Sequence, residues 1–186
     1  SRDDALLAIE RYATSKIFTK EDLFAISTMG FRGEALPSIA SVSKFSLVTR
    51  SKDSGAAVRL EISGGKLVNV SDAGAPVGTM VEVKALFFNT PARKKFLKTD
   101  ATEISHISDL ISGIALGNPH IRFKLISNNK TVKNFVDQDN PYQRAVSVLG
   151  NETASRLMSL DHKAGSVLVK GFCAHPQITR STSNKF

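Results

Sequence analysis

The chain has 186 residues, long enough to bury a sizeable core, and its hydrophobic content of 41% suits a globular protein. A formal net charge of +8 and a pI near 9.7 favour acidic partners such as nucleic acid, although total charge by itself governs only solubility and non-specific association. A single cysteine, Cys173, excludes an internal disulfide; no apolar run is long enough to cross a bilayer; and His106, His120, His162 and His175 lack ligand spacing, which sets metal chemistry aside.

Ser1-Arg2-Asp3-Asp4 predicts a helix start, with a serine to cap it and two acids at its positive end. The stripe Leu6, Ile9, Tyr12/Ala13 carries that helix to about Ala13, where Thr14-Ser15-Lys16 ends it. Thr19-Lys20-Glu21-Asp22 offers a second cap, for a short helix bearing Leu23, Phe24 and Ile26. The rest of the segment from Thr14 to Gly33 reads as a long loop of the kind that acts as a lid. It ends in Gly30-Phe31-Arg32-Gly33-Glu34-Ala35-Leu36-Pro37-Ser38, two glycines running into a helix start whose unpaired N–H groups attract anions. Taken alone, the same glycines read first as a tight turn.

From Lys44 the pattern alternates. Phe45 to Thr49, Ala57 to Ile62, Lys66 to Val70 and Gly78 to Leu86 read as short strands, with turns at Ser51–Gly55 and Ser63–Lys66. Short connections of this kind imply an antiparallel or mixed sheet. Pro91 then opens a short helix in which Arg93, Lys94, Lys95 and Lys98 make a basic face opposite Phe96 and Leu97. That face is either a nucleic-acid contact or an ordinary solvated one. Ile104, Ile107, Leu110/Ile111 and Ile114 predict a core helix from Thr102 to about Leu116, stopped by Gly117-Asn118-Pro119. Residues 121–126 and 131–136 form a hairpin, and the polar Asp137-Gln138-Asp139-Asn140-Pro141 marks a domain boundary. Beyond it come a helix over Tyr142–Leu149 and a strand over Ser166–Ala174. There is no Gly-x-x-x-x-Gly-Lys-Ser/Thr loop, no Gly-x-Ser-x-Gly nucleophile and no internal repeat.

Four segments carry a further signal: Ala13-Thr14-Ser15-Lys16-Ile17, Gly30-Phe31-Arg32-Gly33-Glu34-Ala35-Leu36, Gly78-Thr79-Met80-Val81-Glu82-Val83, and Leu86-Phe87-Phe88-Asn89-Thr90-Pro91-Ala92-Arg93-Lys94-Lys95-Phe96-Leu97. In composition, order and spacing they closely resemble the MutL family of DNA mismatch-repair proteins, strongly from Ser1 to about Val136 and weakly to Phe186. The resemblance implies an α+β fold with helices packed on one face of a mixed, largely antiparallel sheet, a partial gyrase-like ATPase fold. Part of a ribosomal-S5-like α/β domain is expected to follow, with residues 1–137 in the ATPase part and 138–186 in the second.

It also implies a function: an ATP-dependent matchmaker that binds and hydrolyses ATP, dimerises through its N-terminal region on binding it, and couples mismatch recognition to later repair steps. The cofactors are ATP and Mg2+. The partners are non-specific DNA, a mismatch-recognition protein, a downstream nuclease or helicase, and a second copy of the chain. No membrane is involved, and the location is cytoplasmic in a bacterium or nuclear in a eukaryote.

By position, Thr14, Ser15, Lys16, Arg32, Gly33, Glu34, Ala35 and Leu36 are the nucleotide lid, and Thr79 faces the adenine end. The Glu34 side chain is expected to turn away from phosphate, toward Arg32, while its amide binds. Arg93, Lys94, Lys95 and Lys98 are the DNA candidates. The family's catalytic glutamate, its metal-binding asparagine and its adenine-reading Asp-Asn-Gly lie upstream of the position matching Ser1, and its second-domain phosphate lysine lies beyond Phe186. No catalytic or metal residue is therefore assigned, and the chain is expected to be truncated and inactive alone. A nucleic-acid module without a nucleotide and a chaperone- or topoisomerase-type ATPase are the rival readings; Pro-Ala-Arg-Lys-Lys-Phe argues against the second.

Overall fold

The computed structural model describes residues 1–176, so the last ten residues of the expected second domain, 177–186, lie outside the described residues. Packing divides the chain into two units, Ser1–Leu97 and Lys98–Phe186. In the first, the alternating segments become β1 (Lys44–Arg50), β2 (Ala57–Ser63), β3 (Lys66–Ala73) and β4 (Gly78–Lys84), an antiparallel sheet in the order β3-β2-β1-β4.

The register pairs Phe45 with Ile62 and Leu47 with Leu60, which sets all four side chains on one face. There they are buried beside Ala5 of α1 (Arg2–Leu7) and Ala40 of α2 (Ala35–Ala40), with Leu6, Ile9, Leu36, Val58 and Val70 packed around them. Alanines at the helix contacts leave room for the large sheet residues between the layers. The two-residue turn Gly64-Gly65, with φ of +57° and +84°, closes the β2–β3 hairpin. Its amides donate to the Ser43 and Ala40 carbonyls at 3.0 Å, tying the hairpin to the end of α2.

Helix α1 starts as predicted, Ser1 and Asp4 forming a reciprocal capping box, but it stops at Leu7 rather than near Ala13. A tertiary tie overrides the apolar stripe: Tyr12 takes φ of +64° and donates its amide to the Gly33 carbonyl at 3.2 Å. Gly33 in turn has φ of +63°, and a Cβ there would lie 2.2 Å from the Ala13 carbonyl oxygen. The two ends of the 14–32 loop are thus held backbone to backbone. Within the loop the second predicted helix is a 3-10 turn, Glu21–Phe24, with Asp22 accepting from the Phe18 and Thr19 amides.

After β4 the chain runs through Ala85 and Phe87, both at positive φ, and docks on the end of α2 through Phe87 N–H to the Val42 carbonyl and Asn89 Nδ2 to the Ser41 carbonyl. Helix α3 is only Pro91–Lys94. One turn cannot present two faces, so the predicted apolar side of this segment does not form, and Phe96 is 80% exposed.

In the second unit α4 (Asp100–Gly117) is capped by Thr99 and precedes the hairpin β5 (Phe123–Ser127) and β6 (Lys130–Phe135), then α5 (Pro141–Leu149) and α6 (Asn151–Ala154). A further hairpin follows, β7 (Leu157–Ala164) with β8 (Val167–Ala174); β7 and α6 had no counterpart in the sequence reading. Arg144 of α5 is fully buried, donates from Nη2 to the Pro119 and Ile121 carbonyls at 2.7 Å and lies over the Phe135 ring. Within this unit α4 packs on β5, β6 and α5.

The Gly33 contact yields a test. Gly33→Ala places a methyl group inside the Ala13 carbonyl and forces an L-residue into left-handed φ, a local cost of about 1–3 kcal/mol. Limited proteolysis should show faster cutting between residues 12 and 33 with little change in global melting, since the core lies elsewhere. An unchanged cutting rate would contradict the tie.

Candidate functional site

The backbone tie between Ala13 and Gly33 shapes an open cleft of about 870 Å³ in the first unit. Its wall brings together Thr14, Ser15, Lys16, Arg32, Gly33, Glu34, Ala35 and Leu36, while Asp4, Leu7 and Ala8 line it from α1 and the turn after it, and Phe18, Met29 and Phe31 add apolar surface. The two ends of the loop, residues 14–16 and 32–36, thus line one cleft. Phe18 and Met29 were not anticipated; their signal is that both are large apolar residues left exposed in a polar loop.

Two cations, two carboxylates and a run of free donors meet in this cleft. Among the described residues neither Lys16 nor Arg32 forms an ion pair, and the amides of Gly33, Glu34, Ala35 and Leu36 have no acceptor. Glu34 occupies the N-cap of α2 but its side chain makes no capping bond. Its expected pairing with Arg32 does not occur: the guanidinium instead lies 5.6 Å from the centre of the adjacent Phe31 ring, a partner that costs the cation little solvation. At the cleft's edge Thr14 Oγ1 accepts from the Lys16 amide at 3.1 Å, turning the chain there. Asp4 contributes the other carboxylate. Hydrogen bonding from the Ser1 hydroxyl, then from the terminal amine, holds it below the usual aspartate range.

Thr79 does not line this cleft. It lies in an adjoining one of about 620 Å³, which has Asp4, Ala8 and Leu36 in common with the first. The second cleft differs in character. Leu47, Val58, Val77, Ala5 and Ala56 supply apolar wall, and two of its cations are engaged: Arg50 donates to the Ser54 and Ala75 carbonyls, and Arg2 to the Val70 carbonyl beside Asp72. Thr49, which the sequence reading did not single out, faces Thr79 across the β1–β4 ladder, their hydroxyls 2.8 Å apart.

The basic candidates are all exposed. Arg93 and Lys94 end α3, and Lys95 is its C-cap; Lys98 opens the second unit, where its amide donates to Glu103 Oε1. None of the four is in an ion pair among the described residues. Nor, among those residues, does any group of three His, Cys, Asp or Glu come close enough to hold a metal, and no helix is long and apolar enough to cross a membrane.

No protein-family model matches the chain. It is 46% identical over 184 residues to the DNA mismatch repair protein MutL of Geobacter sulfurreducens, covering 99% of this chain and 30% of that protein. It is 49% identical over 159 residues to the protein of the same name from Koribacter versatilis, covering 86% of this chain and 25% of that one. The chain thus spans less than a third of the length of these curated relatives. Among solved structures it resembles the ATPase domain of Aquifex aeolicus MutL complexed with ADP, with a TM-score of 0.67 and 31% identity over 87% of this chain and 62% of that one. The N-terminal domain of a DNA repair protein superposes with a TM-score of 0.64 at 26% identity, covering 87% of this chain and 53% of that one. Identity of this order along nearly the whole chain, on a shared α+β fold with helices against an antiparallel sheet, makes the chain a member of the MutL family of DNA mismatch-repair proteins.

Proposed function

We propose that the first cleft is a nucleotide-phosphate site and that the intact protein is an ATP-dependent matchmaker in DNA mismatch repair. The observation that carries this reading is the convergence of unpaired Lys16 and Arg32 with the free amides of Gly33 to Leu36 on one cleft, a set of donors suited to phosphate oxygens and not to a neutral ligand. The ADP bound to the similar Aquifex domain supports it. Thr14, Ser15 and the Glu34 amide complete the phosphate wall, and Thr79 in the adjoining cleft takes the nucleoside end. ATP supplies the binding energy that orders the lid and brings two copies together, and the mismatch-recognition protein and a downstream nuclease or helicase are the partners this state addresses. Residues 1–137 belong to the ATPase part and 138–186 to the start of an S5-like domain. The location is wherever chromosomal DNA is repaired, the cytoplasm of a bacterium or the nucleus of a eukaryote.

Hydrolysis needs a base for water and a means of neutralising phosphate charge. Of the carboxylates lining the cleft, Asp4 is held in its ionised, weakly basic form by Ser1, and Glu34 stands among the phosphate-facing amides. The residues present fit ATP but not Mg2+, and we assign neither the catalytic base nor a magnesium ligand to them. The chain alone therefore binds nucleotide without turning it over. A nucleic-acid module without a nucleotide role leaves the cleft unexplained, and a chaperone or topoisomerase is disfavoured by the identity to mismatch-repair relatives.

Lys16→Ala and Arg32→Ala should each weaken ADP binding roughly ten-fold, the loss of one charge-assisted contact, without altering melting temperature. Calorimetric titration checks this, with phosphate release from ATP by the chain alone staying at background in the same preparations; unchanged affinity in both variants would contradict the assignment.

Arg93, Lys94, Lys95 and Lys98 are proposed to contact DNA phosphates. Binding should then be independent of sequence and fall steeply with salt, as each neutralised phosphate releases counterions. Lys95→Ala with Lys98→Ala should weaken binding to all sequences alike and flatten the log–log salt slope by about one unit per lost contact. Duplex titrations at several salt concentrations decide it, and an unchanged slope returns the cluster to an ordinary solvated face.

A further inference from the structure

We propose that one end of the first unit's sheet carries a row of DNA-phosphate contacts, Lys66, Lys44 and Lys84, that continues the basic face of Arg93, Lys94 and Lys95. The inference rests on the DNA reading above and extends it from a single helical turn to a surface built by the sheet. Lys44 lies opposite both Ser63 of β2 and Lys84 of β4, and Ser63 lies opposite Lys66 of β3. Directly paired residues share a face, so the lysines stand in one line across the four strands, on the side away from Phe45 and the core. At the usual strand spacing that line is roughly 14 Å long. All three lysines are exposed. Lys84 Nζ is paired with Glu82 Oε1 at 2.9 Å, while Lys44 and Lys66 form no ion pair among the described residues. In the next row on that face, beside Glu82, Glu61 accepts from Asn69 Nδ2 at 3.2 Å. Lys44 and Lys84 are direct cross-strand partners of like charge, an arrangement that destabilises an antiparallel pair; a polyanion laid across the row removes the repulsion.

The loop after β4 brings the two basic sets to the same end of the unit. Its Phe87 N–H and Asn89 Nδ2 donate to the Val42 and Ser41 carbonyls, just ahead of Lys44. It also lies against Gly64 of the β2–β3 turn, just ahead of Lys66: a Cβ on that glycine would stand 3.4 Å from the Phe88 ring and 3.1 Å from Asn89 Nδ2. Pro91, which opens α3 and its cations, follows directly. The partner this row fits is a nucleic-acid backbone. Ammonium groups on flexible stems meet phosphate as point charges and offer no rigid fork to select a base edge. Phosphates that recur about every 3.4 Å of helix axis on each strand place several within the length of the line.

The test is titration of a mixed-sequence DNA duplex into the intact protein at several salt concentrations, with a thermal melt of each variant. Lys44→Ala with Lys66→Ala should weaken binding at unchanged melting temperature and flatten the log–log salt slope by about two units, one per lost contact. Lys44→Glu sets an acid against Lys84, so it should melt no lower than the parent and yet bind the duplex more weakly than Lys44→Ala, a split that a merely structural lysine would not produce. An unchanged slope in Lys44→Ala with Lys66→Ala, beside a flattened one in Lys95→Ala with Lys98→Ala, overturns the proposal and leaves the DNA reading standing. Unchanged slopes in both double variants overturn the two together. A loss of binding that tracks a lower melting temperature also overturns the proposal. So does poly-glutamate that binds the parent as tightly as the duplex, which would assign the row to an acidic protein.

Discussion

The contact between the backbones of Ala13 and Gly33 is the constraint on which the candidate site depends. The chain leaves α1, wanders through an exposed loop and returns, and only the absence of a side chain at Gly33 lets the return pass against the Ala13 carbonyl. Without that approach Lys16 and Arg32 would belong to two unrelated loop ends. With it, two cations and a run of free amides share one cleft with the Asp4 and Glu34 carboxylates, and the proposed affinity for phosphate rests on this set of groups rather than on any single side chain.

Helix α2 extends this constraint into the rest of the first unit. Its beginning lines the cleft, Pro37 and its last residue Ala40 are buried, and the Ala40 carbonyl and the three residues beyond receive donors from the β2–β3 turn and from the loop that leads to Arg93. A six-residue helix is too short to be stable by itself. Here it is held by packing on Phe45, Leu47, Leu60 and Ile62 and by these terminal hydrogen bonds, so the lid, the sheet and the basic segment have one short element in common.

The strands were legible in the sequence because alternation is a local signal and the glycine turns are spaced to suit it, and β1 to β4 appear within a few residues of where they were placed. That residues 14–16 and 32–36 line one cleft was an expectation of the family resemblance, because the glycines next to the helix start by themselves fit a tight turn as well. What failed was whatever depended on a partner remote in sequence. The stripe through Leu6 and Ile9 overextended α1 because nothing nearby announces that Tyr12 will bond to Gly33. Arg32 is a local exception: charge pointed it to Glu34, but the ring of its neighbour Phe31 supplies the contact. Thr49 is an unremarked threonine until the β1–β4 register sets it against Thr79. The missed β7 did have a signal, the alternating Met158 and Leu160 ahead of the Gly165 turn, but interleaved polar residues hid it.

Hydrogen exchange read at single amides, with and without ADP, addresses the central claim most directly. If the cleft formed by the Ala13–Gly33 contact binds phosphate through backbone donors, the amides of Gly33, Glu34, Ala35 and Leu36, which have no acceptor among the described residues, must become protected when ADP binds, while those of the β5–β6 hairpin do not change. Saturable ADP binding that leaves those four amides exchanging as freely as before would contradict the account.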